Sequence, residues 1–132
     1  MNMKKVFVNG YGSIGSRITS FLKDDSEISV IGIGKYSPDE KVDVAISRGL
    51  NVYVPENKLD AFSNFKITGT IESALDDCDL VIDASPGGYG YKNKKNLYEP
   101  KNIPAIYQGG ESISSSESVS DLLFNSRVNY DL

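Results

Sequence analysis

The stretch "KKVFVNGYGSIGSRI", residues 4–18, constrains the fold more than any other part of the chain. Three glycines, Gly10, Gly12 and Gly15, stand between an apolar run and an amphipathic one. Glycine loses more backbone freedom on folding than any other residue, so such a concentration needs a structural reason. "KKVFVN" reads as a buried strand over about residues 4–9, and beyond the glycines Ile14, Ile18, Phe21 and Leu22 recur at helical spacing, which predicts one buried helix face. "EISVIGIG" supplies a second strand near residues 28–33. Strand, tight turn, helix and strand within about thirty residues form a parallel crossover, right-handed because strands twist.

The same alternation continues along the chain. A second helix is expected from Pro38 or Asp39 to about Arg48, with Gly49 as its stop, followed by the strand "LNVYV". A short helix around Leu59 and Phe62 precedes "FKITG", read as a small extra strand. "TIESALDDC" reads as a helix capped by Thr70, with Ser73 in place of the capping-box acid. "DLVIDAS" is a strand buried on both faces, "GYKNKKNLYE" a helix and "IPAIYQGG" one more strand. The expected fold class is therefore α/β, a doubly wound and mostly parallel sheet with helices on both faces, Rossmann-like. The serine-rich "ESISSSESVS", residues 111–120, reads as a surface loop.

With 132 residues, the chain fits one domain with one core. A hydrophobic fraction of 39% and a charged fraction of 24% are those of a globular chain. The net charge of −4 argues against a nucleic-acid partner, because phosphate contacts need clustered Lys and Arg. No apolar run reaches the length of a membrane helix and no signal-peptide core opens the chain, so the expected location is cytoplasmic and no membrane partner is expected. The single cysteine, Cys78, excludes an internal disulfide, suits a reducing compartment and reads as a small buried thiol. There is no histidine, which removes His-based triads and imidazole metal ligation. Asp76, Asp77 and Asp79 read as a solvated corner rather than a metal site, and Lys92, Lys94 and Lys95 as a wet helix face. No catalytic or metal-binding residue is expected.

Gly10, Gly12 and Gly15 match G-x-G-x-x-G directly after a strand and at the mouth of a helix, the context in which the pattern signifies dinucleotide binding. Gly10 allows the tight turn, Gly12 the approach of a pyrophosphate and Gly15 close packing of helix on strand. The phosphates would rest on free helix N–H groups, including those of Ser13 and Ile14. Counting about twenty residues from Gly15, where an NAD site carries an acid for the ribose hydroxyls, reaches Lys35. An ammonium there attracts a 2′-phosphate that a carboxylate would repel, so NADP is favoured over NAD, although a solvated loop lysine is the plainer alternative. Tyr36 and Ser37 are candidates for stacking and hydrogen bonding beside it. "DASPGGYG" and "YQGGE" follow later strands at the same sheet edge, which adds Ser85, Pro86, Gly87, Gln108, Gly109 and Gly110 to the candidate set. Tyr11, inside the glycine turn, completes it.

These residues resemble the archaeal-type, or type II, phosphorylating glyceraldehyde-3-phosphate dehydrogenases. The resemblance runs from Val6 to about Tyr130 and rests on "VNGYGSIGSR", "DASPGG", "NKKNLYE", "YQGGE" and "FNSRVNY", in that order. It implies that Ser13, Ile14 and Gly110 contact NAD(P), that Lys35 lies beside the adenosine ribose or its phosphate, and that the whole enzyme is a homotetramer. It implies also a catalytic cysteine in a Ser-Cys-Asn segment beyond "FNSRVNY", a match that Cys78 does not make. Residues 1–132 are accordingly expected to be one dinucleotide-binding domain, inactive without a catalytic domain that the chain lacks. A stand-alone NAD(P)-binding regulatory module and the cofactor domain of another two-domain dehydrogenase are the alternatives.

Overall fold

The computed structural model describes residues 3–108. Strand β1, Lys4–Asn9, carries Val6, Phe7 and Val8 without interruption, and all three are sealed from solvent. Alternate residues of a strand point to opposite faces, so Val6 and Val8 enter one core and Phe7 the other. A strand with apolar residues on both sides belongs at the centre of a sheet covered on both faces. The remaining strands are β2 (Ile28–Gly34), β3 (Val52–Val54), β4 (Gly69–Thr70), β5 (Leu80–Asp83) and β6 (Ala105–Tyr107). They form a six-stranded sheet in the order β4-β3-β2-β1-β5-β6, with every pairing parallel. The chain runs outward from β1 to β4, then returns to the other side of β1 with β5. The strand order thus reverses between β1 and β5, whose carboxyl ends flank the crevice where such sheets bind ligands.

Helix α1, Ser13–Lys23, and helix α2, Glu40–Ser47, cover one face. Val42 and Ala45 of α2 pack there with Val6, Val8 and Ile33, and Ile18 and Leu22 of α1 lie against them. Helix α3, Ile71–Leu75, helix α4, Tyr89–Asn93, and a π-helical turn, Lys94–Tyr98, follow the later strands. Ile71, Ala74, Leu75 and Tyr98 join Phe7 and Val81 in the second core. This is the doubly wound, Rossmann-like α/β arrangement expected from the sequence. The caps follow it too: Asp39 accepts from the Lys41 amide at 3.0 Å to start α2, and Thr70 accepts from the Ser73 amide at 3.1 Å to start α3.

Three details depart from the sequence reading. The buried stripe of α1 is narrower than Ile14, Ile18, Phe21 and Leu22, since Ile14 is 50% and Phe21 80% exposed. Gly15 and Thr19 are buried instead, because Gly15, Ile18, Thr19 and Leu22 make the i, i+3, i+4, i+7 set that meets the sheet. "FKITG" pairs only at Gly69–Thr70; Phe65 and Ile67 pack on the first core beside Phe62 of a 3₁₀ helix, Glu56–Phe62. The lysine cluster is not uniformly wet either. Lys94 is buried with its ammonium 3.1 Å from Glu99, an ion pair by distance that lacks hydrogen-bond alignment. The π turn inserts one residue per turn and swings Lys94 inward with Tyr98.

Lys35, just after β2, is buried and forms an ion pair of 2.8 Å with Asp39. Partial desolvation works to raise the Asp39 carboxyl, but hydrogen bonds from the Lys35 ammonium and the Lys41 amide prevail and hold it below the usual carboxylate range. A carboxylate held below its unfolded value of 3.8 stabilises the fold above that pH and loses the effect as pH falls through the lower folded value. Asp39→Asn keeps a capping oxygen and removes the charge, so its melting temperature is expected below wild type at pH 7, with the gap closing below pH 3.8. An equal gap at pH 7 and pH 3 in parallel melts would contradict the ion pair's role. For the core, Phe62→Ala is expected to cost about 3–5 kcal/mol in urea unfolding, whereas Phe21→Ser at the exposed face of α1 should stay within about 0.5 kcal/mol.

Candidate functional site

The β1–α1 corner is built from backbone. Gly10 has φ of +144°, and a Cβ on it would lie 2.2 Å from the Ala84 carbonyl oxygen just past β5. A Cβ on Gly15 would lie 2.2 Å from the Gly10 carbonyl oxygen. Both positions exclude any side chain because main chain already fills the space. Gly12 is different. It is the N-cap of α1 at φ −83°, a conformation open to any residue, and a Cβ there would meet nothing within 4 Å.

What Gly12 borders is an open helix start. No side chain caps α1, and its first turn holds no acid. The first amide tied back into the helix is that of Ser16, which donates to the Gly12 carbonyl at 2.9 Å. The earlier N–H groups at Ser13 and Ile14 lie at the positive end of the helix dipole, in residues exposed to solvent. A small anion set there would meet donors and a favourable field with no side chain in the way.

Across the switch point lie Ser85, which is buried, and Pro86 and Gly87, which are exposed. Gln108 is exposed beyond β6, its amide donating to the Asp83 carbonyl at 2.7 Å. Together with Gly10, Gly12, Ser13 and Ile14 they share the carboxyl edge of the sheet. Gly109 and Gly110 lie outside the described residues, as does the serine-rich segment. Tyr11 is turned elsewhere: its ring is buried in the core under α1 and α2, and its hydroxyl accepts from Arg48 Nη1 at 3.0 Å.

Lys35 stands at the end of β2 with its charge shared with Asp39, so the end of that strand carries an acid after all, four residues on. Ser37 is exposed beside it. Tyr36 is not a free stacking surface; its ring lies 4.5 Å from that of Tyr89 and its hydroxyl donates to Asn9 Oδ1 at 3.0 Å. Burial, with Asp83 adding to it, pushes the Tyr36 hydroxyl far above its ordinary value, so it remains a neutral donor. Lys58 donates to the Tyr36 carbonyl at 2.9 Å and the Tyr89 hydroxyl at 3.3 Å, tying the segment after β3 to those after β2 and β5. A cavity of about 470 Å³ opens beside this group, lined by Tyr36, Lys58, Tyr89, Lys92 and Asn96 among others.

The sequence reading missed a buried polar cluster beneath the crevice. Asn9 Nδ2 donates to the Tyr98 hydroxyl at 2.8 Å, and Asn93 Nδ2 to the Tyr36 hydroxyl at 3.0 Å and Asp83 Oδ2 at 3.1 Å. Tyr98 donates to the same Asp83 oxygen. The available signal was the polar residue ending each central apolar run, Asn9 in "VFVN" and Asp83 in "LVID". Gly34 belongs to the cluster by its smallness, since a Cβ there would lie 2.2 Å from Asn9 Oδ1.

Cys78 is half-buried and its thiol is pushed up to about 11 by burial and, next, by Asp79. Asp76, Asp77 and Asp79 are exposed; Asp79 accepts from the Lys5 amide at 2.9 Å and Asp76 pairs with Lys101 at 2.6 Å. Among the described residues no cluster of His, Cys, Asp and Glu is arranged to hold a metal, and no helix is long and apolar enough to cross a membrane.

No protein-family model matches the chain. Individual relatives match nearly all of it. It is 39% identical to "Glyceraldehyde-3-phosphate dehydrogenase 2" of Methanosarcina barkeri, over 99% of this chain and 38% of the relative. It is 40% identical to the glyceraldehyde-3-phosphate dehydrogenase of Methanothermus fervidus, over 98% of this chain and 38% of the relative. For the enzyme of that name from Hyperthermus butylicus the figures are 37% identity, 96% and 36%. The chain thus spans well under half the length of the curated relatives it matches. Over nearly all of its length the chain is thus a homologue of the amino-terminal part of archaeal proteins named glyceraldehyde-3-phosphate dehydrogenase, and its Rossmann-like arrangement is consistent with that part.

Proposed function

We propose that this chain is the NAD(P)-binding part of a glyceraldehyde-3-phosphate dehydrogenase, residues 1–132 forming one dinucleotide-binding domain. The whole enzyme would oxidise glyceraldehyde 3-phosphate with phosphate to 1,3-bisphosphoglycerate. The observation that carries this reading is the uncapped start of α1 with an open Gly12, at the point where the strand order reverses. Packing accounts for Gly10 and Gly15 but not for Gly12, and a diphosphate is the group whose approach accounts for it.

In this reading the amides of Ser13 and Ile14 hold the diphosphate, and Gly12 leaves its path clear. Ser85, Pro86, Gly87, Gln108, Gly109 and Gly110 border the same path, and Tyr11 contributes through its backbone only. When bound, the dinucleotide supplies a nicotinamide ring that accepts hydride. The chain's own residues bind and orient; with no histidine and a thiol held protonated at Cys78, the nucleophile and base belong to the rest of the enzyme. The same reading carries a cytoplasmic, homo-oligomeric whole protein with no nucleic-acid or membrane partner. Support for these comes from the acidic composition and the sequence resemblance.

For the cofactor, we propose NADP over NAD, with both accepted. Lys35 provides the cation, and a 2′-phosphate, carrying up to about two negative charges, competes for it against the single charge of Asp39. Lys35→Gln is expected to weaken NADPH several-fold more than NADH in fluorescence titrations; equal losses would remove the preference. Gly12→Val is expected to weaken both by at least about tenfold, or 1.4 kcal/mol, while leaving the melting temperature near wild type because the position is sterically open. Unchanged affinity in a folded Gly12→Val chain would refute the diphosphate placement.

A further inference from the structure

Asp83 ends β5 opposite Asn9 of β1 and is 1% exposed. Its two oxygens face different ways. Oδ1 accepts from the Ser85 amide at 3.0 Å and from the Ser85 hydroxyl, a turn in which the side chain holds the backbone two residues on. Oδ2 accepts from Asn93 of α4 at 3.1 Å and from the hydroxyl of Tyr98 in the π turn. One carboxylate therefore ties the segment after β5 to the helices on the second face. Asn9 Nδ2 on Tyr98 extends the tie to β1.

The segment held this way touches the glycine corner. A Cβ on Gly10 would lie 2.9 Å from the Ser85 nitrogen, so any shift of Ser85 moves main chain packed against the start of the anion notch. All four of these donors are neutral. Burying a carboxylate on neutral donors is a costly way to join two elements when apolar contact would hold them as firmly. What a hydrogen-bonded carboxylate adds is a single geometry, because each lone pair has an assigned donor.

We propose that Asp83 is a positioning residue of the dinucleotide site, fixing Ser85 and the segment up to Gly88 against the notch; this rests on the dinucleotide reading above. Asp83 does not touch the cofactor and acts through Ser85. Asp83→Asn keeps the volume but replaces an acceptor with a donor, leaving one donor of the cluster facing another.

The test is an NADPH fluorescence titration of the wild-type chain, Asp83→Asn, Ser85→Ala, Ser85→Thr and the Asp83→Asn/Ser85→Ala double variant. Each is also followed by melting and by hydrogen exchange of the Ser85 and Tyr89 amides, which donate to Asp83 Oδ1 and to the Pro86 carbonyl. Asp83→Asn is expected to bind about tenfold more weakly, a loss of about 1.4 kcal/mol, with exchange accelerated at those two amides but not along α1. The double variant should bind no more weakly than Asp83→Asn, since both changes break the same link. Ser85→Thr, which retains the hydroxyl, should bind more tightly than Ser85→Ala, which does not. Wild-type affinity in folded Asp83→Asn, or losses that multiply in the double variant, would overturn the proposal. Should Asp83→Asn fail to fold, the Ser85 pair decides, and equal affinities for Ala, Thr and wild type overturn it. A wild-type chain that binds neither NADPH nor NADH overturns the dinucleotide reading, and with it Asp83's role toward that ligand.

Discussion

The contact on which the rest of the molecule depends is a stack of main chain: Gly15 on the carbonyl of Gly10, and Gly10 on the carbonyl of Ala84. It brings the first turn of α1, the end of β1 and the end of β5 together without an intervening side chain. The constraint is steric rather than attractive. Each glycine costs roughly 0.5–1 kcal/mol of backbone entropy relative to alanine, and the return is that α1 begins directly over the crevice at the switch point. Were α1 displaced outward by one side chain, its open amides would no longer border the strand ends. Gly12 lies between these two glycines in sequence and packing does not require it, which is why the proposed diphosphate placement rests on it.

Beneath the stack, at the carboxyl end of the sheet, Asn9, Tyr36, Asp83, Asn93 and Tyr98 are all buried and joined by hydrogen bonds. Burial of this kind is tolerable only when the polar groups find partners. The arrangement explains two otherwise odd choices in the sequence. Gly34 leaves space for Asn9, and the π turn delivers Tyr98 to Asp83 where a regular helix would place it about a quarter-turn away.

The strand and helix pattern was legible because period and punctuation agreed: uninterrupted apolar runs at β1 and β5, Asp39 and Thr70 as caps, Gly49 as a stop at φ +78°. The glycine corner was legible because its chemistry is local in sequence. What could not be read was contact between residues far apart. Nothing near Tyr11 announces Arg48, 37 positions on. Phe21 was misplaced because period alone sets the angle of a face and not its width. The buried cluster joins residues up to 89 positions apart, from Asn9 to Tyr98, so local pattern carries almost no trace of it.

The Lys35–Asp39 pair alters the electrostatic argument at the end of β2. An isolated lysine would present a full charge to a passing ribose, whereas a lysine 2.8 Å from a carboxylate presents mostly a dipole, whose field falls off faster with distance. The pair therefore attracts an anion only at close range, by exchanging one acceptor for another. Asp39 is the more exposed partner, its side chain 40% exposed against 8% for Lys35, and the Lys41 amide would remain its partner as the cap of α2 if Lys35 turned to an anion. A ligand with ribose hydroxyls alone has no charge with which to displace the carboxylate and meets the pair intact, as a donor beside an acceptor. Under the proposed placement, one pair of side chains would present a hydroxyl acceptor to an uncharged ribose and a cation to a phosphorylated one, which is the physical basis of the proposed preference.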